Sequence, residues 1–335
     1  MGATLNDVAL RAGVSRSAVS RTFTQGASVS AKTRRKVEKA AADLGYSPSL
    51  LASSLTTGRT KLVGLVSNNF HNPIFLEIFD LFTRGLQDQG LRPLLVNLSD
   101  ETDPSKSLRM LGQYWVDAVV VASSTLPPAF AAAYRAAGVP VVHAFGRHAP
   151  APEVSIVGVD NVHCGRMAAE ILLSRGYARI GFLGGPEAAT STQDRLAGFR
   201  AALDRAPGVT LTHSFARDYS FDAGRAEMQR QIQAGPAEAY FCGDDVLSIG
   251  ALSALQSAGL RVPDEVGLLG FNDMEIARWD NIWLTTIKQP IREIVEASIE
   301  LVAAMLENPD RPPEARLYDC RLIERGTLRP VPATA

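Results

Sequence analysis

The stretch TLNDVALRAGVSRSAVSR, residues 4–21, decides the fold of the amino-terminal region. Thr4 followed three residues later by Asp7 is the pattern of a capping box, which begins a helix, and Gly13 ends that helix. Ser15 is a good N-cap for a second short helix that begins at the next residue. The pattern therefore predicts two helices joined by a tight turn that contains a glycine.

A third helix is predicted by the same kind of pattern. Ser30 caps it, Gly45 ends it, and the apolar residues between them recur at helical spacing. Its apolar stripe consists of Val37, Ala40, Ala41 and Leu44. Three short helices of this kind make an all-α helix-turn-helix domain, which we predict over residues 1–48.

Charge is distributed unevenly along the chain. The 335 residues carry 34 basic and 35 acidic side chains, yet residues 1–60 hold nine basic and three acidic ones. The second helix of a helix-turn-helix lies in the major groove of DNA, where arginine can donate two hydrogen bonds to guanine. The polar positions of this helix, Arg16, Ser17 and Arg21, therefore predict DNA binding. The alternative is that these arginines merely solvate a helical face.

Residues 4–21, together with VSAKTR at 29–34 and GYSP at 45–48, closely resemble the lactose-repressor (LacI/GalR) family of transcriptional regulators. The residues to which this resemblance gives a role on DNA are Arg16, Ser17 and Arg21 as base readers and Ser15, Ser30 and Thr33 as phosphate contacts. The resemblance does not imply a particular operator sequence.

Residues 49–60, SLLASSLTTGRT, resemble the hinge helix of that family, which orders on operator DNA and inserts a leucine between base steps of the minor groove. Leu55 occupies that position. Such a wedge costs roughly a few kcal/mol of unstacking but bends the duplex around more protein surface. Ser53 stands where many relatives carry arginine, so operator affinity is expected to depend more on the other arginines, Arg59 among them. The alternative is an ordinary linker leucine.

From Lys61 onward, short aliphatic runs alternate with longer amphipathic stretches. The first runs are LVGLV at 62–66, PLLV at 93–96 and AVVV at 118–121. This is the periodicity of an α/β protein with parallel sheets covered on both faces. Such sheets bind ligands beyond the carboxyl ends of their strands, where the turns of this chain are polar and aromatic.

The resemblance extends over this region, to the type I periplasmic-binding-protein core of the family. It implies two parallel-sheet subdomains, about 61–160 plus 291–325 and about 161–290, in an effector-binding and dimerisation core over residues 61–330. The effector-binding residues that it implies are Asn68, Phe75, Phe145, Arg195, Tyr219, Asp244, Asn272 and Gln289.

Each of these roles has a structural alternative. Arg195 matches an arginine that clamps the effector, but it could be a helix-surface ion pair. Tyr219 matches an aromatic that stacks on the ligand, but it and Phe145 could be core aromatics. Asp244 and Asn272 could cap the helices that follow them.

The residue types favour a neutral sugar as the effector. Planar guanidinium and carboxamide groups can bind vicinal hydroxyls, and aromatic faces cover the C–H patches of a sugar. One arginine with no neighbouring lysine argues against a phosphate ester. We therefore expect a mono- or disaccharide or a glycoside. Several sugar-binding relatives carry Asn at the first of these positions and Asp at the second, whereas this chain has Asp244 and Asn272. The particular sugar bound by a relative is therefore not expected for this chain.

Other classes of protein are disfavoured. No window approaches the ~18 apolar residues of a membrane span, and residues 1–7 lack the apolar stretch of a signal peptide, which predicts a cytoplasmic protein without a membrane partner. The histidines lack metal-site spacing, and Cys164, Cys242 and Cys320 are isolated along the chain, which predicts core cysteines and no cofactor. No catalytic motif is present, so we predict that the chain is not an enzyme.

Two rival functions stay open. A sugar-transport binding protein would share the α/β region but would need export. A sugar-modifying enzyme with an added DNA-binding domain would need a catalytic constellation.

The favoured prediction is a sugar-responsive repressor that binds a palindromic operator as a homodimer, because two-fold symmetry presents two reading helices to successive grooves. The last residues, 328–335, contain no heptad segment, which favours a dimer over a tetramer. We expect the effector to act as an inducer. By linkage, the factor by which the effector weakens DNA binding equals the factor by which DNA weakens effector binding.

Overall fold

The computed structural model describes residues 3–24, 26–47, 54, 58–98 and 103–332. It separates into two units, Met1–Thr60 and Lys61–Ala335. Most of the predicted hinge segment, including Leu55, lies outside the described residues.

The first unit contains three helices, α1 (Leu5–Ala12), α2 (Arg16–Phe23) and α3 (Ala31–Leu44). The capping box is present, because the Thr4 amide donates to the Asp7 carboxylate at 2.8 Å and the Asp7 amide donates to the Thr4 hydroxyl at 3.3 Å. Gly13 and Gly45 end their helices in the left-handed conformation that glycine adopts without strain. The helix-turn-helix prediction is confirmed.

A small apolar core holds these helices together. Val8 of α1, Val19 of α2 and Val37 of α3 are fully buried against one another. A hydrogen bond adds to this packing, since the Arg34 guanidinium donates to the Thr22 carbonyl at 2.8 Å and ties α3 to the end of α2. The second helix therefore has one buried face and one free for a partner.

The second unit contains two six-stranded sheets. The first has the order β11-β5-β4-β3-β1-β2, and every adjacent pair is parallel. Its strands are β1 (Leu62–Ser67), β2 (Arg92–Asn97), β3 (Ala118–Ala122), β4 (Val141–Ala144), β5 (Ser155–Gly158) and β11 (Ala315–Leu317). Its helices are α4 (Ile74–Asp88), α5 (Ser105–Gln113), α6 (Pro128–Ala136) and α11 (Ile291–Glu307).

The second sheet has the order β12-β10-β9-β8-β6-β7 and is parallel except for the pair of β10 and β12. Its strands are β6 (Arg179–Gly184), β7 (Thr210–Phe215), β8 (Ala239–Cys242), β9 (Gly267–Asn272), β10 (Thr286–Lys288) and β12 (Arg321–Ile323). Its helices are α7 (Asn161–Leu173), α8 (Thr190–Leu203), α9 (Phe221–Ala234) and α10 (Asp245–Ser257), with a short 3-10 helix at Glu275–Arg278.

The central strands are buried on both faces. All five residues of β3 are fully buried, as expected for a parallel strand between two layers of helices. One continuous cluster of buried apolar side chains includes residues of both sheets, and a second cluster fills the opposite face of the first sheet. The predicted α/β architecture of two parallel-sheet subdomains is confirmed.

The chain crosses between the two sheets three times. The crossings follow β5, β10 and β11, and the last leads into β12. The predicted first subdomain extends to about residue 325, but residues 321–323 pair with β10 of the second sheet. The physical reason is that the free edge of β10 has unpaired backbone groups, which β12 satisfies with an antiparallel ladder.

Two glycines set the close packing of α7 against α8, the helix that carries Arg195. A Cβ added at Gly198 would lie 1.8 Å from the carbonyl oxygen of Val162, and one added at Gly165 would lie 2.0 Å from the carbonyl oxygen of Arg195. These are backbone atoms that cannot move aside. The position of Arg195 on α8 therefore depends on glycine, which has no side chain, at positions 165 and 198.

We expect Gly198→Ala to lower the free energy of unfolding by about 3 kcal/mol, because the added methyl group forces the two helices apart. Urea denaturation followed by circular dichroism measures the change. Gly112→Ala is the control, since that helical glycine is exposed and a Cβ there meets nothing within 4 Å. A Gly198→Ala protein as stable as the Gly112→Ala protein would contradict this view of the packing.

Candidate functional site

The predicted DNA-reading residues lie on the outer face of α2. Val19 and Thr22 of this helix are buried, whereas Arg16, Ser17 and Arg21 are exposed. No acidic residue lies in the first turn of the helix. Arg21 Nε donates to the Ser17 carbonyl at 3.3 Å, and both guanidinium groups lie on the exposed face of the helix.

The three predicted phosphate contacts lie at helix N-termini. The Ser15 hydroxyl accepts from the Ala18 amide and the Ser30 hydroxyl accepts from the Thr33 amide, each at 3.2 Å. The hydroxyls of Ser30 and Thr33 are 2.9 Å apart. These groups cap α2 and α3, and helix N-termini attract anions such as phosphate. Arg59 is exposed.

A narrow cleft with about 20 Å³ of free volume lies at the carboxyl ends of strands from both sheets of the second unit. Its lining combines apolar and polar side chains, as small-ligand sites do, and the free volume between the two halves is about that of one water molecule. The cleft is lined by Asn69, Asn72, Ile74, Phe75, Ile78, Ser124, Phe145, Arg195, Tyr219, Asp244, Asn272, Gln289 and Ile291.

Seven of the eight predicted effector residues line this cleft, and Asn68 does not. The Asn68 side chain instead donates to the Thr125 hydroxyl at 2.9 Å and accepts from the Ser123 hydroxyl at 2.9 Å. It joins the turns after β1 and β3. Asn72, four residues further along the same polar turn, points into the cleft in its place.

Arg195 is held by three groups of the second subdomain. Its side chain is only 3% exposed, Nε donates to Asn161 Oδ1 at 2.8 Å, and Nη1 donates to the Gly243 carbonyl at 2.6 Å. The guanidinium carbon lies 3.7 Å from the centroid of the Phe271 ring. Within the described ranges Arg195 makes no ion pair, so the alternative of a helix-surface ion pair is wrong. This buried cation is fixed in place at the cleft.

Asp244 is the centre of a polar network in the cleft. Its Oδ1 accepts from the Val246 amide at 2.9 Å, which caps α10, and its Oδ2 accepts from the side-chain amides of Asn72 at 2.7 Å and Asn272 at 2.9 Å. The Gln289 amide donates to Asn272 Oδ1. Burial raises the pKa of Asp244 to about 6. Asp244 is thus both a helix cap and a cleft residue, whereas Asn272 caps no helix.

Several hydrogen bonds join the two subdomains across the cleft. The bond from Asn72 to Asp244 is one of them. The Ser124 carbonyl accepts from the Thr190 hydroxyl at 3.0 Å, and Arg147 Nε donates to Asp194 at 2.8 Å. The structure therefore shows the two halves in direct polar contact around the cleft.

Aromatic side chains form the apolar walls of the cleft. Phe75, Phe145 and Tyr219 are all buried and all line it. The Tyr219 ring lies over Gly185, where an added Cβ would come within 2.3 Å of it, and its hydroxyl is 2.8 Å from that of Thr192. Phe145 has a φ of +64°, a conformation that non-glycine residues rarely adopt. These residues are thus cleft walls as well as core aromatics.

Asp245, which we did not predict, is fully buried beside the network. Its carboxylate accepts from the Thr286 hydroxyl at 2.6 Å and from the Met274 amide at 2.8 Å. These bonds tie α10 to β10 and to the turn after β9. Burial raises the pKa of Asp245 to about 7, so its ordinary ionisation is suppressed in the folded protein.

We expect acid to stabilise the wild-type protein through Asp245. As the pH rises from about 4 to 7 the unfolded chain loses this proton while the folded chain retains it, so the free energy of unfolding falls by roughly 2–4 kcal/mol. In Asp245→Asn this decrease in the free energy of unfolding disappears, and the smaller decrease due to Asp244 persists up to about pH 6. Urea denaturation between pH 4.5 and 7.5 measures the difference, with the exposed Asp310→Asn as the control. Identical pH slopes in all three proteins would refute the assignment.

Within the described residues no group of three or more His, Cys, Asp or Glu side chains could hold a metal ion. None of the helices in that part of the chain combines the length and apolar character needed to cross a membrane.

Comparison with known proteins gives two matching family models. Residues 4–49 match the model of bacterial regulatory proteins of the lacI family, and residues 169–328 match a periplasmic binding protein-like domain. The HTH-type transcriptional repressor CytR of Escherichia coli K12 is 30% identical over 98% of this chain and 97% of its own length. The HTH-type transcriptional repressor PurR of Escherichia coli O139:H28 is 33% identical over 97% of each chain.

Solved structures agree with these relatives. The crystal structure of the Lac repressor dimer bound to operator and the anti-inducer ONPF superposes with a TM-score of 0.88 at 25% identity, over 98% of this chain and 100% of the other. The complex of the transcriptional regulator CelR with cellobiose gives a TM-score of 0.70 at 29% identity, over 97% and 99% of the two chains.

Proposed function

We propose that this chain releases a palindromic operator when a neutral sugar binds in its cleft. The chain belongs to the LacI family of bacterial regulatory proteins and is a DNA-binding transcriptional repressor with a ligand-binding domain. The relatives are transcriptional repressors and not enzymes, in agreement with the missing catalytic motifs. The observation that carries the ligand class is the hydrogen-bonded set of Asn72, Asp244 and Asn272 beside Arg195, between aromatic walls.

The charges and shapes in the cleft support a neutral polyhydroxylated ligand. The lining includes one cation and one carboxylate, Arg195 and Asp244, whose charges cancel when both are ionised, and no lysine. Carboxamides donate and accept at the same time, which suits hydroxyl groups that do the same. The aromatic walls can cover the C–H face of a sugar ring. That a relative has been solved with cellobiose supports the same class.

DNA binding is assigned to the first unit. Arg16, Ser17 and Arg21 read bases from the exposed face of α2, while Ser15, Ser30 and Thr33 position phosphates at the ends of α2 and α3. Leu55 would act as the minor-groove wedge and Arg59 as a further DNA contact. A homodimer would present two such units to a palindromic site, as the operator-bound Lac repressor dimer supports. Operator binding places the repressor in the cytoplasm.

The domain organisation that we propose follows from these roles. Residues 1–48 bind DNA, residues 49–60 are the hinge, and residues 61–330 bind the effector and dimerise. The first subdomain comprises 61–160 with 291–317, shortened at its end because β12 belongs to the second sheet.

The regulatory step is a change in the contact between the two halves of the core. A sugar in the cleft would exchange the hydrogen bond from Asn72 to Asp244 for bonds of its own to residues of both halves. It then stabilises one relative placement of the halves over another. If that placement separates the hinge segments of the two protomers, effector lowers the affinity for operator and operator lowers the affinity for effector by the same factor.

Fluorescence anisotropy of the purified protein tests this function. Labelled DNA from upstream of its own gene is titrated in moderate salt with a scrambled competitor, and neutral sugars, sugar phosphates and nucleosides are added in turn. Release by one neutral sugar is the expected result. Release by a nucleoside or a sugar phosphate alone would overturn the ligand class, and tightening by a sugar would overturn the inducer sign. Absence of specific DNA binding at any addition would contradict the operator assignment for this DNA.

A further inference from the structure

Two cysteines that lie far apart in the sequence meet at the connections between the subdomains. Cys164 lies in the first turn of α7, directly after the first crossing, and Cys320 lies between β11 and β12, in the third crossing. Their sulfur atoms are 3.3 Å apart, although the residues are separated by 156 positions. Both are present as free thiols.

The surroundings of this pair favour reaction of Cys164. Its side chain lies near the N-terminus of α7, where the helix dipole stabilises a negative charge. The hydrogen bond that it shares with Cys320 and the nearby charge of Arg195 lower the pKa of Cys164, against the opposing effects of burial and of Asp160. That shared bond, burial and the charge of Cys164 raise the pKa of Cys320, against the opposing effect of Arg195. The pair therefore contains one thiol biased toward the thiolate and one that can supply a proton.

We propose that Cys164 and Cys320 are a reversible disulfide site that ties the first and third crossings of the effector core together. The reaction needs a two-electron oxidant such as a hydroperoxide. The Cys164 thiolate attacks the peroxide oxygen to give a sulfenic acid and one molecule of water or alcohol. The Cys320 sulfur then displaces the sulfenic oxygen as water, so that two S–H bonds are replaced by one S–S bond and the peroxide takes up both electrons.

Such a bond bears on the ligand site through α7. Asn161, three residues before Cys164, accepts the hydrogen bond that fixes Arg195. Cys164 follows the first crossing and Cys320 lies in the third, so a change in how these two crossings are placed would change the distance between the two sulfur atoms. A disulfide there opposes that movement while it leaves the cleft residues in place. Oxidation would thereby restrict the relative movement of the two subdomains about their crossings.

Cys242 supplies an internal comparison. It is fully buried in β8, and burial raises its pKa to about 12. All three cysteines are buried, but Cys320 is 7% exposed and Cys164 is 1% exposed, so the pair has slightly more contact with solvent than Cys242. Modification should therefore occur at Cys164 and Cys320 and spare Cys242.

The full-length protein is treated with hydrogen peroxide, and the products are examined by mass spectrometry under non-reducing conditions. The expected product has lost two hydrogen atoms, yields one peptide pair joined through Cys164 and Cys320, and is restored by dithiothreitol. Its Tm should be higher by about 5 °C, because the bond closes a long loop in the unfolded chain. Deuterium uptake over 159–164 and 318–321 should fall in the same sample.

Cys320→Ser and Cys164→Ser are the test variants, and Cys242→Ser is the matched control. The Cys242→Ser protein should respond to peroxide as the wild type does, whereas the other two should show no rise in Tm. Should Cys164→Ser fail to fold, Cys320→Ser carries the test by itself. Oxidation that yields no joined peptide, or a rise in Tm that persists in Cys320→Ser, would overturn the proposal.

Discussion

Replacing Arg195 with alanine should raise the effector concentration that releases the operator by about 100-fold, because a buried guanidinium makes charge-assisted hydrogen bonds worth about 1.5–3 kcal/mol each. Operator binding without effector should change by less than about two-fold, because the reading helix is in the other unit. Anisotropy titrations of wild type and Arg195→Ala with the sugar that releases the wild type measure both quantities.

The substitution also removes the donor for Asn161 Oδ1 and the Gly243 carbonyl, so some loss of stability accompanies it. We expect a loss of about 2–3 kcal/mol, which urea denaturation detects. Arg200→Ala, on the exposed face of the same helix, is the control and should retain the wild-type response. A folded Arg195→Ala protein that is released at the wild-type sugar concentration would refute the assignment of this residue.

The second large effect is expected in α2. Arg21→Ala should weaken operator binding by about 50-fold, because a bidentate contact from arginine to guanine contributes about 1–3 kcal/mol of discrimination against the wrong base. Arg16→Ala should have a similar effect. Binding to scrambled DNA should fall much less, since that binding depends on phosphate contacts that these substitutions leave largely in place.

Anisotropy with operator and scrambled DNA at one salt concentration measures the two affinities for each variant. Lys39→Ala, an exposed cation on α3 of the same unit, is the matched control and should weaken both kinds of binding slightly and equally. If Arg21→Ala also weakened both equally, its side chain would be a phosphate contact and not a base reader.

Local sequence was sufficient to predict the three helices and the alternation of strands and helices. The capping box at Thr4 and the caps at Ser15 and Ser30 were predicted correctly because each depends on groups within about four residues along the chain. The burial of β3 followed in the same way from an uninterrupted aliphatic run. The position of Arg195 and Asp244 at the cleft was expected from the family resemblance.

The sequence by itself determined the three amino-terminal helices with their caps, the α/β alternation of the second unit and the family to which the motif belongs, and it predicted a ligand site at the carboxyl ends of parallel strands. It did not predict the short strands β5, β10, β11 and β12 or the edge strand β7. Only the tertiary structure decided that Asn72, and not Asn68, reaches Asp244 from 172 residues away. It also decided that β12 returns to the second sheet and that Cys164 meets Cys320. The physical reason is that helix caps and periodicity act between near neighbours in the chain, whereas these contacts depend on how three separate crossings are placed beside one another in space.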